Sequence, residues 1–256
     1  MSNGSGLQYP YPVVVHSLQR MCDNVLVGVD PTFPLDRRSI EMFGLDDVEI
    51  VDSVWDRSCR GDGTEIALQM DKLVTKAAEQ GSDWVVVVQA DEMFHDDDFQ
   101  PLRLFMERNL LTDVTGFSTE RVYFWRDLNT IRADWNANLV RIFRPGTYSF
   151  LADNTSKDGM FSGQVRAGGE VKLPYKLYHY SRVDPNPELI SRRVRNLDGF
   201  FHPEDTLVAE DALPAYDFVP REYDNYSIVE TPPPVTGTLT VYTGTHPHGI
   251  KEWYGE

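Results

Sequence analysis

The spacing of apolar positions changes along the chain, and the changes predict the elements. Residues 13–22 place Val14, Val15, Leu18 and Met21 at helical intervals, with Pro12 near the helix start, where proline is tolerated. Asn24-Val-Leu-Val-Gly-Val-Asp30 is an apolar run of strand length, closed by an acid and Pro31. A helix is predicted over 35–43 and a short strand at Val48-Glu-Ile-Val51. Residues 64–80 carry Ile66, Leu68, Leu73, Val74, Ala77 and Ala78 at roughly helical spacing, and Gly81 ends that helix. Asp83-Trp-Val-Val-Val-Val88 is continuous and β-branched, as expected of a strand covered on both faces. It runs into Gln89-Ala-Asp91-Glu92, and a helix follows over 96–110, opened by Asp96-Asp97-Asp98 and Pro101. Strands alternating with helices over the first 110 residues predict an α/β domain with a mostly parallel sheet.

The second half reads differently. Residues 114–126 and 138–150 are rich in β-branched and aromatic residues with turn signals between them, which predicts antiparallel strands added to the sheet. Residues 151–170 are polar and glycine-rich, a loop of the length of a lid. Another strand is predicted from Val171 to Tyr180, and a helix over 187–198 carrying Arg192, Arg193 and Arg195. From 203 to 230 there are eight acids against one arginine, with Pro203, Pro214 and Pro220. Thr231-Pro-Pro-Pro234 then precedes a final segment ending in a short helix. The expected organisation is a loose segment over 1–10, a catalytic domain over 11–202 with halves 11–110 and 111–202, and an acidic, proline-rich extension over 203–256 packing on the domain.

Charge narrows the function classes. The net charge is −16, so a generic nucleic-acid binder is not expected, whereas carboxylates that hold cations are. Cys22 and Cys59 are too few for a disulfide framework. No apolar run approaches the length of a membrane span, and residues 1–12 lack the pattern of a signal peptide. A soluble protein of the reducing cytoplasm, without a membrane partner, is the expectation.

The candidate chemistry sits at the end of the 83–88 strand. Ligands of open α/β sheets bind outside the carboxyl ends of strands, where Asp91 and Glu92 fall. Alternation points their side chains different ways, so one of them faces the cleft. A carboxylate there can hold a divalent ion bridging two phosphates and neutralise a leaving diphosphate. The local pattern equally permits Asp91 as a cap of the following helix.

Asp83-Trp-Val-Val-Val-Val-Gln-Ala-Asp-Glu92, followed by His95, resembles the aspartate motif of GT-A glycosyltransferases, specifically the QADE-type branch of family 2-like enzymes. Other pieces of that branch's pattern follow in order. Tyr11-Pro12 with Met21-Cys-Asp-Asn-Val-Leu-Val resembles its opening, and Asp52-Ser-Val-Trp55-Asp56 its i-x-D-x-x-W-D segment. Asn138-Leu-Val-Arg141-Ile-Phe-Arg144 resembles its vRiiR strand, Tyr178-His179-Tyr180 its iyHYg, and Thr243-Gly-Thr-His246-Pro247 its G-x-HP tail. The likeness spans most of residues 10–255.

The resemblance implies a GT-A-like, Rossmann-type mixed sheet with helices on both faces, a nucleotide-sugar donor and Mn2+ or Mg2+. By position, Asp91 would bind the metal and His179 would be a second ligand; an imidazole beside oxygen ligands suits manganese better than magnesium. Judged alone, His179 between two tyrosines reads as an interior histidine. Asp30, Asp56, Arg57 and Gln89 would contact the donor, although Asp30-Pro31 also reads as a turn and Asp56-Arg57 as a surface ion pair. Transfer would invert the anomeric centre, with Asp153 or Asp158 as general base. Trp125 and Trp135 would stack on an acceptor sugar or else lie in the core. Arg192 and Arg193, near Arg182, would bind acceptor phosphates or else form a solvated helix face. The acceptor would be a glycan, a small molecule or a hydroxymethylated base in phage-type DNA, and the oligomeric state is left open.

Two departures stand out. Gln89 replaces the first acid of the family's D-x-D. Family members generally carry a strand before Tyr11-Pro12, where the ten residues here are not strand-like. Two further readings therefore stand beside the enzyme. One is a non-catalytic GT-A-like binding protein. The other is a metal-dependent phosphohydrolase built on Asp91, Glu92 and Asp96-Asp97-Asp98, which would hold two adjacent metals.

Overall fold

The computed structural model describes residues 4–43, 48–56, 64–133, 138–151, 162–165, 169–184, 186, 188–190, 192–193 and 239–255. Helix α1 (Tyr11–Met21) has a proline in its first turn and buries Tyr11, Val14, Val15 and Met21. Strand β1 (Val25–Val29) pairs in parallel with β2 (Val48–Asp52), and α2 (Pro34–Met42) lies between them in sequence. Helix α3 (Thr64–Glu79) packs on β1, where Gly28 permits the approach: a Cβ there would lie 3.1 Å from Leu73 Cδ1.

Strands β3 (Val85–Val86), β4 (Glu92–Phe94), β5 (Val114–Arg132), β6 (Asn138–Phe143) and β9 (Gly169–Val183) form the larger sheet in the order β3-β6-β5-β9-β4. Strand β10 (Leu239–Val241) joins it by pairing with β5. Strands β7 (Tyr148–Leu151) and β8 (Ser162–Val165) form a separate antiparallel pair. A 3-10 turn over Asp96–Asp98 leads into α4 (Phe99–Arg108), and the last element is α5 (Ile250–Tyr254). This is a mixed α/β architecture. Among the described residues, no helix is long and apolar enough to cross a membrane.

Three expectations are corrected. The sheet is not mostly parallel: β3–β6, β4–β9, β5–β6 and β5–β10 are antiparallel, and β5–β9 is the parallel pair within it. β3 and β4 take their partners, β6 and β9, from the second half, a long-range choice that local periodicity does not encode. The 83–88 strand is half-buried and pairs over Val85–Val86, with Val87 N donating to Arg141 O at 2.8 Å. Its other side faces β1 across a cavity of about 420 Å3 walled by Leu18, Leu73, Val74, Val25 and Trp84 to Val88, which removes the cover expected there. Residues 4–9, expected to be loose, are held. The Asp36 carboxylate accepts Gly4 N at 2.9 Å and Ser5 N at 2.7 Å, and Arg193 donates to the carbonyls of Leu7 at 2.8 Å and Gln8 at 2.6 Å.

The core beside the site is aromatic. Phe124 of β5 stacks on Tyr180 of β9 with ring centroids 4.8 Å apart and planes 3° from parallel. Tyr242 and His246 contact the same Phe124 ring, and Ile250 is buried in the same cluster, so residues 242–250 are packed onto the sheet. Of the expected helix over 187–198, residues 188–190 and 192–193 are helical and the others lie outside the described residues.

Candidate functional site

A tight turn between β3 and β4 places the two acids. Glu92 N donates to Gln89 O, and Gln89 N donates to Glu92 Oε2, each at 3.1 Å, so the turn is closed from both ends. The Glu92 carboxylate also receives Arg141 Nε at 3.0 Å and Nη2 at 2.9 Å. Both side chains are 1% exposed or less. Such a bidentate pair is the geometry that makes a buried charge tolerable.

Asp91 points elsewhere. Its carbonyl accepts Tyr180 N at 2.9 Å, and its Oδ1 lies 3.7 Å from His179 Nε2. The β4–β9 register sets His179 opposite Glu92. On the other side of the imidazole, Ser181 Oγ lies 3.4 Å from Nδ1 and 2.8 Å from the Tyr123 hydroxyl, and the Tyr123 ring centroid is 4.6 Å from the imidazole. The ring is thus turned so that Nε2 faces the carboxylate.

Burial, reinforced by the charge of Glu92, pushes the Asp91 carboxyl up to about 7. Burial, reinforced by Arg121, Arg141 and Arg182, holds His179 well below its ordinary 6.5. At neutral pH the imidazole is therefore uncharged and the carboxyl partly protonated. At 3.7 Å the two are neither ion-paired nor hydrogen-bonded.

One imidazole nitrogen and one carboxylate oxygen are donors that a divalent transition metal accepts, and two bonds of about 2.1 Å can span 3.7 Å. Among the described residues, no group of three or more His, Cys, Asp or Glu side chains is arranged to hold a metal. The pair therefore fits an ion whose remaining ligands are not side chains of the described residues. The arginines near His179 oppose a cation there, while the Glu92 charge beside Asp91 favours one. Asp91 itself is 7% exposed, and its charge is felt by the hydroxyls of Tyr9 and Tyr254. Residues from both ends of the chain stand close to it.

The other expected residues divide. Asp30 is buried at the end of β1, where its Oδ1 accepts Thr32 N at 3.0 Å and Thr32 Oγ1 at 2.7 Å, the geometry of the Asp-Pro turn. Asp56 is exposed, and Arg57 lies outside the described residues. Gln89 is half-buried within the closed turn. Trp125 is buried under the Arg132 guanidinium, 5.3 Å from the ring centroid. Trp135, Asp153, Asp158 and Arg195 lie outside the described residues. Arg192 pairs with Glu188 at 3.0 Å on an exposed helix face. Arg193, expected to bind acceptor, is buried and engaged by the chain. Besides Leu7 and Gln8, it donates to Val183 O at 2.8 Å and to Asp184 Oδ2 at 3.3 Å.

In the 96–98 turn, Asp96 binds the Arg20 guanidinium and His248 N, so its oxygens are already partnered. His95 is half-buried with Nε2 at 2.9 Å from Thr245 Oγ1.

Sequence reasoning gave Arg141 no role beyond a motif position. A signal for it existed: an arginine inside the apolar run Leu139-Val-Arg-Ile-Phe143 needs a buried acid as partner. Tyr9 was missed because its segment was read as loose. Set against protein-family profiles, curated proteins and solved structures, the chain matches none.

Proposed function

We propose that the protein is a metal-dependent glycosyltransferase of GT-A type, moving a sugar from a nucleoside-diphosphate donor to an acceptor hydroxyl. The observation that carries this reading is the buried Asp91–His179 pair, 3.7 Å apart and within the field of Arg121, Arg141 and Arg182. Asp91 and His179 would hold Mn2+ or Mg2+, which when bound supplies positive charge to the departing diphosphate. Glu92 and Arg141 keep the turn in shape, and Tyr123 and Ser181 orient the imidazole. Burial of Asp91 disfavours its bare carboxylate, so metal and nucleotide bind as a unit. The acceptor is a glycan or small molecule, or a modified base in DNA, and transfer inverts the anomeric centre. The engagement of Glu92 by Arg141 and of Asp96 by Arg20 weighs against a two-metal phosphohydrolase.

A thermal-shift screen of nucleoside diphosphates and their sugars, with and without Mn2+, tests this. A ligand at about a hundred times its Kd adds about 2.7 kcal/mol of stability. The expected outcome is a rise in Tm that needs both metal and nucleotide and is lost in Asp91→Asn. No shift with any nucleotide in the presence of Mn2+ would end the proposal.

A further inference from the structure

A second cleft opens close to this site. It has a volume of about 340 Å3, within the range of about 300–1,000 Å3 typical of small-molecule sites. Its walls are aromatic and come from three separate parts of the chain: Tyr9 from the segment before α1, Phe43 at the end of α2, and Trp253 and Tyr254 from α5. Phe43 is 56% exposed, and its ring and that of Trp253 stand 6.4 Å apart at 52°, leaving ring surface open. Folding alone does not call for an exposed phenylalanine beside a half-exposed tryptophan.

The polar lining selects the ligand class. Asp184 and Gln8 contribute a carboxylate and an amide, and no lysine or arginine is among the described residues that line the cleft. The Arg193 guanidinium behind Tyr9 is already bound by Asp184 and the carbonyls of Leu7, Gln8 and Val183, so its charge is spent before a phosphate arrives. Asp184 Oδ1 accepts Asn186 N at 2.8 Å and Oδ2 accepts Arg193, which leaves each oxygen a further lone pair for a hydroxyl. Ring faces that cover C–H groups, beside a carboxylate and an amide that bind hydroxyls, match a sugar ring. The geometry points to this cleft as the binding site for a pyranose, the terminal sugar of a glycan acceptor. Its role as acceptor rests on the transferase reading, because Tyr9 and Tyr254 line the cleft and are also the tyrosines that feel the charge of Asp91. Its affinity for a sugar does not rest on that reading.

Saturation-transfer NMR on the full chain tests it, with the methyl glycosides of glucose, galactose, mannose and N-acetylglucosamine as probes and uridine as comparison. The expected result is transfer to the ring C–H protons of at least one glycoside and none to uridine. Phe43→Ala, at an exposed position that tolerates truncation, should weaken that glycoside about fivefold or more, and Trp253→Ala likewise. Transfer to no glycoside at millimolar concentration, transfer to uridine alone, or unchanged affinity in both variants would overturn the assignment. Asp91→Asn separates the two readings: it should abolish the Mn2+-dependent nucleotide shift and leave glycoside binding intact. Glycoside binding without any nucleotide binding sinks the transferase and leaves the cleft as a sugar site. Nucleotide binding without glycoside binding sinks the cleft alone.

Discussion

Asp91 and Glu92 share one turn and one depth of burial, yet their charges are handled in opposite ways. Glu92 is matched by a bidentate guanidinium and a backbone N–H. Asp91 faces an imidazole that burial and three arginines keep neutral, and its own carboxyl is raised to about 7. The difference separates an acid whose charge the fold matches from one whose charge it leaves unmatched. Unfavourable electrostatics concentrated on one of two adjacent carboxylates is a mark of a functional site.

The comparison can be broken most forcefully from the Glu92 side. Arg141→Met leaves a buried carboxylate without its partner and should lower stability by about 3–5 kcal/mol, measured by urea unfolding. The double variant with Glu92→Gln should recover much of that loss. If instead the two single losses simply add, the pair is not a structural unit.

Asp91→Asn should act in the opposite direction. In metal-free buffer at pH 8 it should raise stability, by at most about 4 kcal/mol, because it removes an ionised group from a site that disfavours the charge. The sign follows from the raised carboxyl: Asp91's favourable contribution is present at low pH and is lost as pH rises through about 7. The gain should therefore shrink towards pH 5. His179 carries the reverse dependence, since its lowered value costs stability as pH falls below 6.5, so only the difference between wild type and variant reports on Asp91. A variant no more stable than wild type at pH 8 would mean that the Asp91 charge is well accommodated.

Arg193 and Arg192 repeat the contrast in neighbouring residues. Arg193→Met should cost about 1–3 kcal/mol, by leaving the carbonyls of Leu7, Gln8 and Val183 without their donor, and should expose residues 4–9 to protease. Arg192→Ala removes a surface pair and should change stability by less than about 0.5 kcal/mol. Equal effects in the two variants would remove the distinction.

Local pattern was a good guide to the elements and a poor one to their partners. Helices α1, α2 and α3 and strands β1 and β2 fall within about two residues of their expected bounds, because helical spacing and short β-branched runs are local properties. The pairing of β3 with β6 depends on residues more than fifty positions away, and the three-residue β4 is too short to leave a periodic signal. In the site, Asp91 and His179 were legible only through a resemblance; nothing in Tyr178-His-Tyr180 alone distinguishes a ligand from a core histidine. The Glu92–Arg141 pairing is a match between distant segments, and the position of Tyr9 near Asp91 depends on the packing of a segment whose composition suggests none. The Asp30 carboxylate closes the turn that the Asp-Pro pair suggested.

The hold of Arg193 on Leu7 also sets a schedule for the chain's birth. The two residues are 186 positions apart. At translation speeds of about 5–20 residues per second, the segment bearing Tyr9 waits about 10–40 s for its anchor to be made. For the second half of that interval Asp91 has been synthesised but lacks this neighbour, so its surroundings take their final shape only late in synthesis.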